Sequence, residues 1–239
     1  MEVMNDLVGY KNLKILQNTD WFLFSLDSVL LPNFVTLNKD CKKILDLGTG
    51  NAPIPMILTT KTNAHIVAVE LQEDVFQLAK KSVDYNGLND RIELLNLDMK
   101  KLKDVYSADT FDVITCNPPY FKYSSTSHLN EDIHKIIARH EKMISLEEIL
   151  ELSFYLLKNN GVLALVHRTD RVVEIIQLAS KYHLEVKKIR FVYPKINTES
   201  NMVLIEMKKN GKTGLKLLPP LYVHHDNGDY TEEVLSMFQ

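Results

Sequence analysis

Hydrophobic and polar positions along this 239-residue chain switch between two periods. From residue 42 onward, short runs of β-branched and aliphatic residues alternate with segments whose apolar positions recur at helical spacing. The runs at 43–47, 65–70, 91–97 and 111–116 predict four buried parallel strands. A turn at 48–52 leads into a short helix that ends near Thr60. A longer helix spans 73–85, with Val75, Phe76, Leu78, Ala79 and Val83 at helical spacing, and Asn86-Gly87 supplies its left-handed stop. The second half continues the alternation. A helix over 145–157 opens on the capping-box pair Ser145 and Glu148 and closes at Asn160-Gly161. A strand over 161–167 and a helix over 171–182 follow. Two last strands, 184–192 and 202–208, have only a polar loop between them, which predicts an antiparallel hairpin at one sheet edge. The whole pattern predicts an α/β doubly wound sheet.

Two regions lie outside this alternation. Residues 1–40 hold the segment Phe22-Leu23-Phe24-Ser25-Leu26-Asp27 and a helix that begins near Ser28. They read as an extension packed on the ligand site of a domain spanning 41–239. Residues 121–144 are polar, with Ser124, Ser125, Thr126, Ser127 and His128, and read as a substrate-facing loop or a partly disordered one. The tail from 211 to 239 carries Pro219-Pro220 and reads as mostly irregular.

Composition narrows the class. Apolar residues at 45% and charged residues at 25% suit a domain with a buried core. No apolar run approaches the roughly 18 residues that cross a bilayer, so no membrane partner is expected. The first ten residues lack a basic segment followed by an apolar one, and so lack a secretory signal. Cys41 and Cys116 are too few and too far apart for a disulfide framework or a cysteine zinc site. A cytoplasmic location is expected. The net charge of −3 does not advertise a nucleic-acid binder. Between 187 and 216, however, eight cations face only Glu199 and Glu206, which makes either a binding strip or a lysine-rich solvated surface. His128, His134 and His140 are spaced six apart, which suits neither one helix face nor a metal site, and no metal is expected.

Four motifs carry chemistry, each at the end of a predicted strand, where ligands sit in open α/β sheets. In Asp46-Leu47-Gly48-Thr49-Gly50-Asn51-Ala52, glycines let the backbone approach a ligand closely. Pro53 stands where a dinucleotide fingerprint needs a third small residue. Asp46 would repel a pyrophosphate but suits a ligand carrying an ammonium and a sulfonium. Glu70, twenty residues beyond Gly50, is placed to accept from ribose hydroxyls. Asp98 is placed to accept from an adenine amine, or to cap a turn. Asn117-Pro118-Pro119-Tyr120 suits catalysis on a planar amine, whose lone pair is delocalised into its ring. The Asn117 side-chain oxygen and the Pro118 carbonyl can accept the amine protons. Two prolines stiffen the corner beforehand, and Tyr120 offers a face for stacking.

The pair Asp-Leu-Gly-Thr-Gly and Asn-Pro-Pro-Tyr resembles the class I S-adenosylmethionine-dependent methyltransferases of amino groups. Residues 24–31, Arg139-His140-Glu141, residues 219–223 and Tyr230-Thr231 narrow the resemblance to the bacterial valine-tRNA adenine-N(6) methyltransferase family. The resemblance covers nearly the whole chain. It implies a Rossmann-like, seven-stranded sheet with a C-terminal antiparallel hairpin. It implies S-adenosyl-L-methionine as cofactor and an adenine in RNA as substrate, in a tRNA near the anticodon. Asp27 joins Asp46, Gly48, Gly50, Asn51, Glu70 and Asp98 around the cofactor, with Phe24 beside Asp27. Ala52-Pro53 departs from the family, which reads Gly and an aliphatic residue there; alanine is small enough for cofactor binding to survive. The tetrapeptide also suits a protein glutamine-amide methyltransferase, but only about 40 residues precede the glycine turn, where such enzymes carry a helical domain. A DNA adenine methyltransferase would need a target-recognition domain, and a non-catalytic module would have no need for both prolines and the aromatic.

Overall fold

The computed structural model describes residues 1–7, 9–18, 25–118 and 144–238. In chain order the elements are β1 (Glu2–Leu7), β2 (Tyr10–Asn18), α1 (Asp27–Phe34), β3 (Lys43–Leu47), α2 (Pro53–Thr59), β4 (His65–Glu70), α3 (Glu73–Tyr85), β5 (Ile92–Asn96), α4 (Leu102–Val105) and β6 (Phe111–Cys116). Then come α5 (Leu146–Leu156), β7 (Leu157–Arg168), α6 (Val172–Lys181), β8 (Leu184–Tyr193), β9 (Met202–Lys209), β10 (Lys216–Leu217), β11 (Leu221–Tyr222) and α7 (Glu232–Ser236).

The main sheet runs β10-β8-β9-β7-β6-β3-β4-β5, with β11 also on β8. Its seven longer strands are those the periodicity predicts. β9 is antiparallel to both neighbours, while β3 to β7 are mutually parallel. The two-residue strands β10 and β11 extend the outer edge, parallel to β8, within the tail that reads as irregular. Elements this short carry no period.

Side-chain alternation feeds two cores. Ile44, Ile66, Ala68, Val113, Ala164 and Val166 point toward the layer containing Leu30, Leu31, Ile57 and Val83. Leu45, Leu47, Val67, Val69, Ile114 and Leu165 point toward the layer containing Ile149, Leu150, Ile175 and Ala179. Burial on both faces explains why these strands are nearly all apolar.

One predicted boundary moves. The helix before β7 ends at Leu157, whose amide bonds Ser153, and Asn160-Gly161 lies inside the strand instead of closing the helix. Asn160 takes φ 62°, and the pairing register with β6 shifts between Phe111 and Val113, so the left-handed residue makes an irregularity in a continuing strand. Ser145 does cap the helix: its hydroxyl accepts the Glu148 amide at 3.2 Å, and Glu148 accepts the Ser145 amide at 2.7 Å.

The antiparallel β1–β2 hairpin has no counterpart in the periodicity. Among the described residues no strand covers the outer side of β2; side chains satisfy its backbone there. Leu16 donates its amide to Ser82 at 2.9 Å, Lys14 donates to Asn86 Oδ1 at 2.9 Å, and Asn86 returns a bond to the Lys14 carbonyl at 2.7 Å. Asn86 therefore both ends α3 and anchors the hairpin to it. At the hairpin turn, a Cβ on Gly9 would lie 1.9 Å from the Phe238 Cβ, so the C-terminal end rests directly on that glycine.

Candidate functional site

Strand order sets the site. β3 lies between β4 and β6, and from it the chain winds outward in both directions, which opens a crevice at the carboxyl ends of β3 and β6. Leu47 is paired with Cys116 across this boundary. The glycine bend and the Asn117 corner therefore leave adjacent strands side by side.

Within the bend, Gly48 and Gly50 take φ 67° and 61°. A side chain would be strained at either position. A Cβ on Gly50 would meet nothing within 4 Å, so the bend faces open space. Ala52 takes φ 68° in the same left-handed region, and Pro53 and Pro55 follow in the first turn of α2, where missing amide protons cost little. Glu70, at the end of β4, accepts the Gly50 amide at 3.0 Å and the Gln72 amide at 2.9 Å.

Asp46 is fully buried beneath the bend. One carboxylate oxygen accepts from the Thr115 hydroxyl at 2.5 Å, and the other has no hydrogen-bond partner among the described residues. Burial pushes this carboxyl up to about 7, with the nearby Thr115 and Thr49 hydroxyls opposing and the Glu70 charge adding to the rise. The Thr49 hydroxyl is likewise buried, beside this carboxylate. The carboxylate and its neighbouring hydroxyl keep a polar pair beneath the bend. Together with the open glycine bend, they fit a compact cationic group such as the methionine end of S-adenosylmethionine.

Asn117 is half-buried and donates its side-chain amide to the Ser28 hydroxyl at 3.4 Å. Pro118 is buried and lines a cleft of about 380 Å³ that also touches Ser145, Leu146, His167, Arg171 and Glu174. Burial, helped by the Arg171 charge, pushes His167 down to about 4, so the ring is neutral. Its Nδ1 accepts the Arg168 amide at 2.8 Å, which leaves the proton on Nε2. Arg171 meets Glu174 through two bonds, at 2.5 and 2.7 Å.

The remaining predicted residues divide. Asn51 turns its side-chain amide toward β2, donating to the Leu16 carbonyl at 3.0 Å, so this end of it holds the N-terminal hairpin on the bend. Asp98 caps the turn Met99–Lys101, accepting the Lys100 amide at 3.0 Å. Asp27 is buried at the start of α1 and accepts from the Ser28 amide at 2.9 Å and from the Ser25 hydroxyl. Pro119, Tyr120, Phe24, residues 121–143 and the histidines within them lie outside the described residues. Thr115 has no motif of its own, and Ser28 belongs to the 24–31 segment without a role assigned to it; only the tertiary structure brings them to Asp46 and Asn117.

Three of the eight cations of the basic stretch are ion-paired. Lys188 pairs with Glu206 at 2.8 Å, Arg190 with Glu233 at 2.5 Å and Lys209 with Asp109 at 2.9 Å. β9 runs antiparallel, so Lys208 and Lys209 lie toward the amino ends of β7 and β8, away from Asn117. Among the described residues no group of three or more His, Cys, Asp or Glu could hold a metal ion, and no helix is long and apolar enough to cross a membrane.

Comparison with known proteins gives three further findings. A family model described as a methyltransferase domain matches residues 38–210. The chain is 31% identical over 210 residues to the tRNA1(Val) (adenine(37)-N6)-methyltransferase of Bacteroides thetaiotaomicron, covering 86% of each chain. It is 24% identical over 234 residues to the protein of the same name from Flavobacterium psychrophilum, covering 97% of each. Among solved structures, a "predicted O-methyltransferase" of Agrobacterium tumefaciens superposes with a TM-score of 0.69 at 20% identity, covering 88% of this chain and 94% of that one. A SAM-dependent methyltransferase of Aquifex aeolicus does so with a TM-score of 0.55 at 16% identity, covering 78% and 90%.

Proposed function

The chain belongs to the methyltransferase domain family, among the class I S-adenosylmethionine-dependent enzymes, and on that premise we propose that it methylates the exocyclic amine of an adenine in RNA, in a tRNA near the anticodon. The observation that carries the reading is the pairing of Leu47 with Cys116, which sets the Asn117-Pro118 corner beside the glycine bend. The tRNA named for its relatives supports the choice of substrate.

S-adenosylmethionine supplies a methyl group on a positively charged sulfur. The residues of this chain do the rest. Gly48 and Gly50 let the backbone approach the cofactor, and Asp46 faces its cationic end. Glu70 holds the bend and offers its remaining lone pairs to a ribose. Asp98, with one oxygen used by its cap, would accept from the adenine amine, and Asp27 would border the site from α1. The Asn117 side-chain oxygen would accept a hydrogen bond from one N–H of the substrate amine and the Pro118 carbonyl from the other, while the N–CH3 bond forms as the S–CH3 bond breaks and one amine proton passes to solvent. The two hydrogen bonds localise the nitrogen lone pair toward the methyl group without a covalent enzyme intermediate. Pro119 and Tyr120 complete the tetrapeptide, with Tyr120 as stacking face. The base must leave its stack to reach this corner. Residues 1–40 act as an extension of the 41–239 domain, contributing Ser28 and the Leu16 carbonyl to the rim of the site.

The test is direct. The protein is incubated with labelled methyl donor and, separately, total tRNA, DNA and protein, and each product is digested and identified. N6-methyladenosine from tRNA is the expected product. Label in glutamine or in DNA alone would overturn adenine in tRNA as the substrate.

A further inference from the structure

A two-stranded hairpin is marginal by itself in water. Among the described residues the β1–β2 hairpin pairs with no other strand, so its place depends on what it rests against. Along β2 the supports are Ser82 and Asn86 of α3. At the turn the support is the C-terminal segment.

That segment is built around α7. A helix leaves its last carbonyls without intrahelical partners. The Met237 carbonyl, at the C-cap, finds two partners outside: it accepts from the Tyr10 hydroxyl at 2.9 Å and from the Asn33 side-chain NH2 at 3.2 Å. Tyr10 opens β2, 227 positions away in sequence, and Asn33 lies in α1. The Asn33 NH2 also donates to the Tyr10 hydroxyl at 3.2 Å, which closes a triangle of contacts among hairpin, α1 and tail. Phe238 is buried, resting on Gly9. α7 is itself fixed to the main sheet. Thr231, its N-cap, donates its amide to the Val223 carbonyl at 3.0 Å and its hydroxyl to the Tyr222 carbonyl at 2.7 Å, and Arg190 of β8 meets Glu233.

Near its other end the hairpin reaches the cofactor crevice. The Leu16 carbonyl accepts from the Asn51 side chain at 3.0 Å, within the glycine bend. Gly48, Gly50 and Ala52 all take positive φ there. Such a backbone keeps its shape only where its surroundings hold it. Glu70 holds it from β4, and Asn51 ties it to β2.

We propose that residues 231–238 form a clasp: by closing on Tyr10 and Asn33 they hold the N-terminal hairpin against the glycine bend, and so raise the affinity for S-adenosylmethionine from outside the crevice. Clasp and cofactor are then coupled sites, and each strengthens the other by the same factor. The inference concerns the cofactor and stands apart from the choice of substrate.

The experiment compares the full chain with a chain ending at Ser236 and with Tyr10→Phe. Calorimetric titration reads S-adenosylmethionine binding, and hydrogen exchange by mass spectrometry reads the backbone without cofactor and with it. The truncation is expected to weaken cofactor binding at least about fivefold, the lower end of ordinary coupling between sites. Exchange in β2 should quicken while exchange in β3 and β6 stays at the wild-type rate, the mark of a local opening. Tyr10→Phe keeps the ring and deletes only the hydroxyl; it should move both readouts in the same direction by less, and it carries the test if the truncated chain does not fold. In the full chain, saturating S-adenosylmethionine should slow exchange in β2. Wild-type affinity in a variant whose β2 exchanges faster overturns the inference. So does β2 exchange that neither variant alters, or that the cofactor leaves unchanged. Weaker binding with faster exchange throughout β3 and β6 overturns it too, since that is a general loss of stability.

Discussion

Glu70 ties the end of β4 to the glycine bend that follows β3: its carboxylate accepts the Gly50 amide at 3.0 Å while also accepting the Gln72 amide at 2.9 Å. The loops on both sides of the cofactor crevice are thereby locked to one side chain. A Cβ on Gly50 would meet no atom of the described residues within 4 Å, so the bend is open on that side.

Replacing Glu70 by Ala should therefore act on shape as well as on contact. Two backbone donors lose a charged acceptor, at a cost of about 1–3 kcal/mol. Denaturant unfolding measures that loss. Calorimetric titration should show S-adenosylmethionine binding at least about tenfold more weakly. Glu70→Gln keeps one acceptor oxygen and should fall between the two.

Asp46 predicts a pH dependence. Its carboxyl titrates near 7 in the folded protein, against an ordinary value of 3.8. Between these values the folded chain binds a proton that the unfolded chain has released. The contribution to stability is complete below about 3.8 and is lost as pH rises through 7. A cationic cofactor favours the ionised form, so its affinity should rise with pH up to about 7 and level off above. Titrations at about pH 6, between the two values, in buffers of different ionisation heat should show proton release on binding. Asp46→Asn should abolish both effects, and a pH-independent affinity in the wild type would count against the assignment.

Asn117→Ala should bind S-adenosylmethionine normally and lose turnover by about 10²- to 10³-fold, the usual consequence of removing one preorganised group from a reaction centre. Steady-state assays read the loss of turnover and equilibrium binding reads the retained affinity. Near-normal turnover would falsify its role.

Ser82 tests the N-terminal hairpin. It is fully buried in α3, its hydroxyl accepting the Leu16 amide at 2.9 Å and donating to the Leu78 carbonyl at 2.8 Å. Ser82→Ala leaves the Leu16 amide unpaired, which costs about 1–3 kcal/mol. A protein of this length loses about 2–4 °C of melting temperature per kcal/mol. Deuterium exchange at the Leu16 amide should quicken in parallel.

Local pattern carried most of the fold. The seven long strands follow from runs of Val, Ile and Leu between helical stripes, because each βαβ unit buries its own stretch of chain. The glycine bend and the Asn117 corner were legible for the same reason: both are short, contiguous and placed at strand ends. The β1–β2 hairpin was not legible. β1 is exposed except at Val3 and Leu7, and β2 finds its partners in Asn86, Ser82 and Asn51, side chains that have other apparent duties in the sequence. Charge density along residues 187–216 left two readings open, and the tertiary structure pairs some of these cations. Lys188, Arg190 and Lys209 are paired with Glu206, Glu233 and Asp109.

The chain alone thus determined the seven long strands, the longer helices between them and the peptides that carry the chemistry, since these depend on residues close together along the backbone. Only the tertiary structure decided that Thr115 meets Asp46, that Ser28 meets Asn117 and that Asn51 turns toward Leu16. Each of those contacts joins residues 35 to 89 positions apart, and its existence depends on sheet order and register, which no local period encodes.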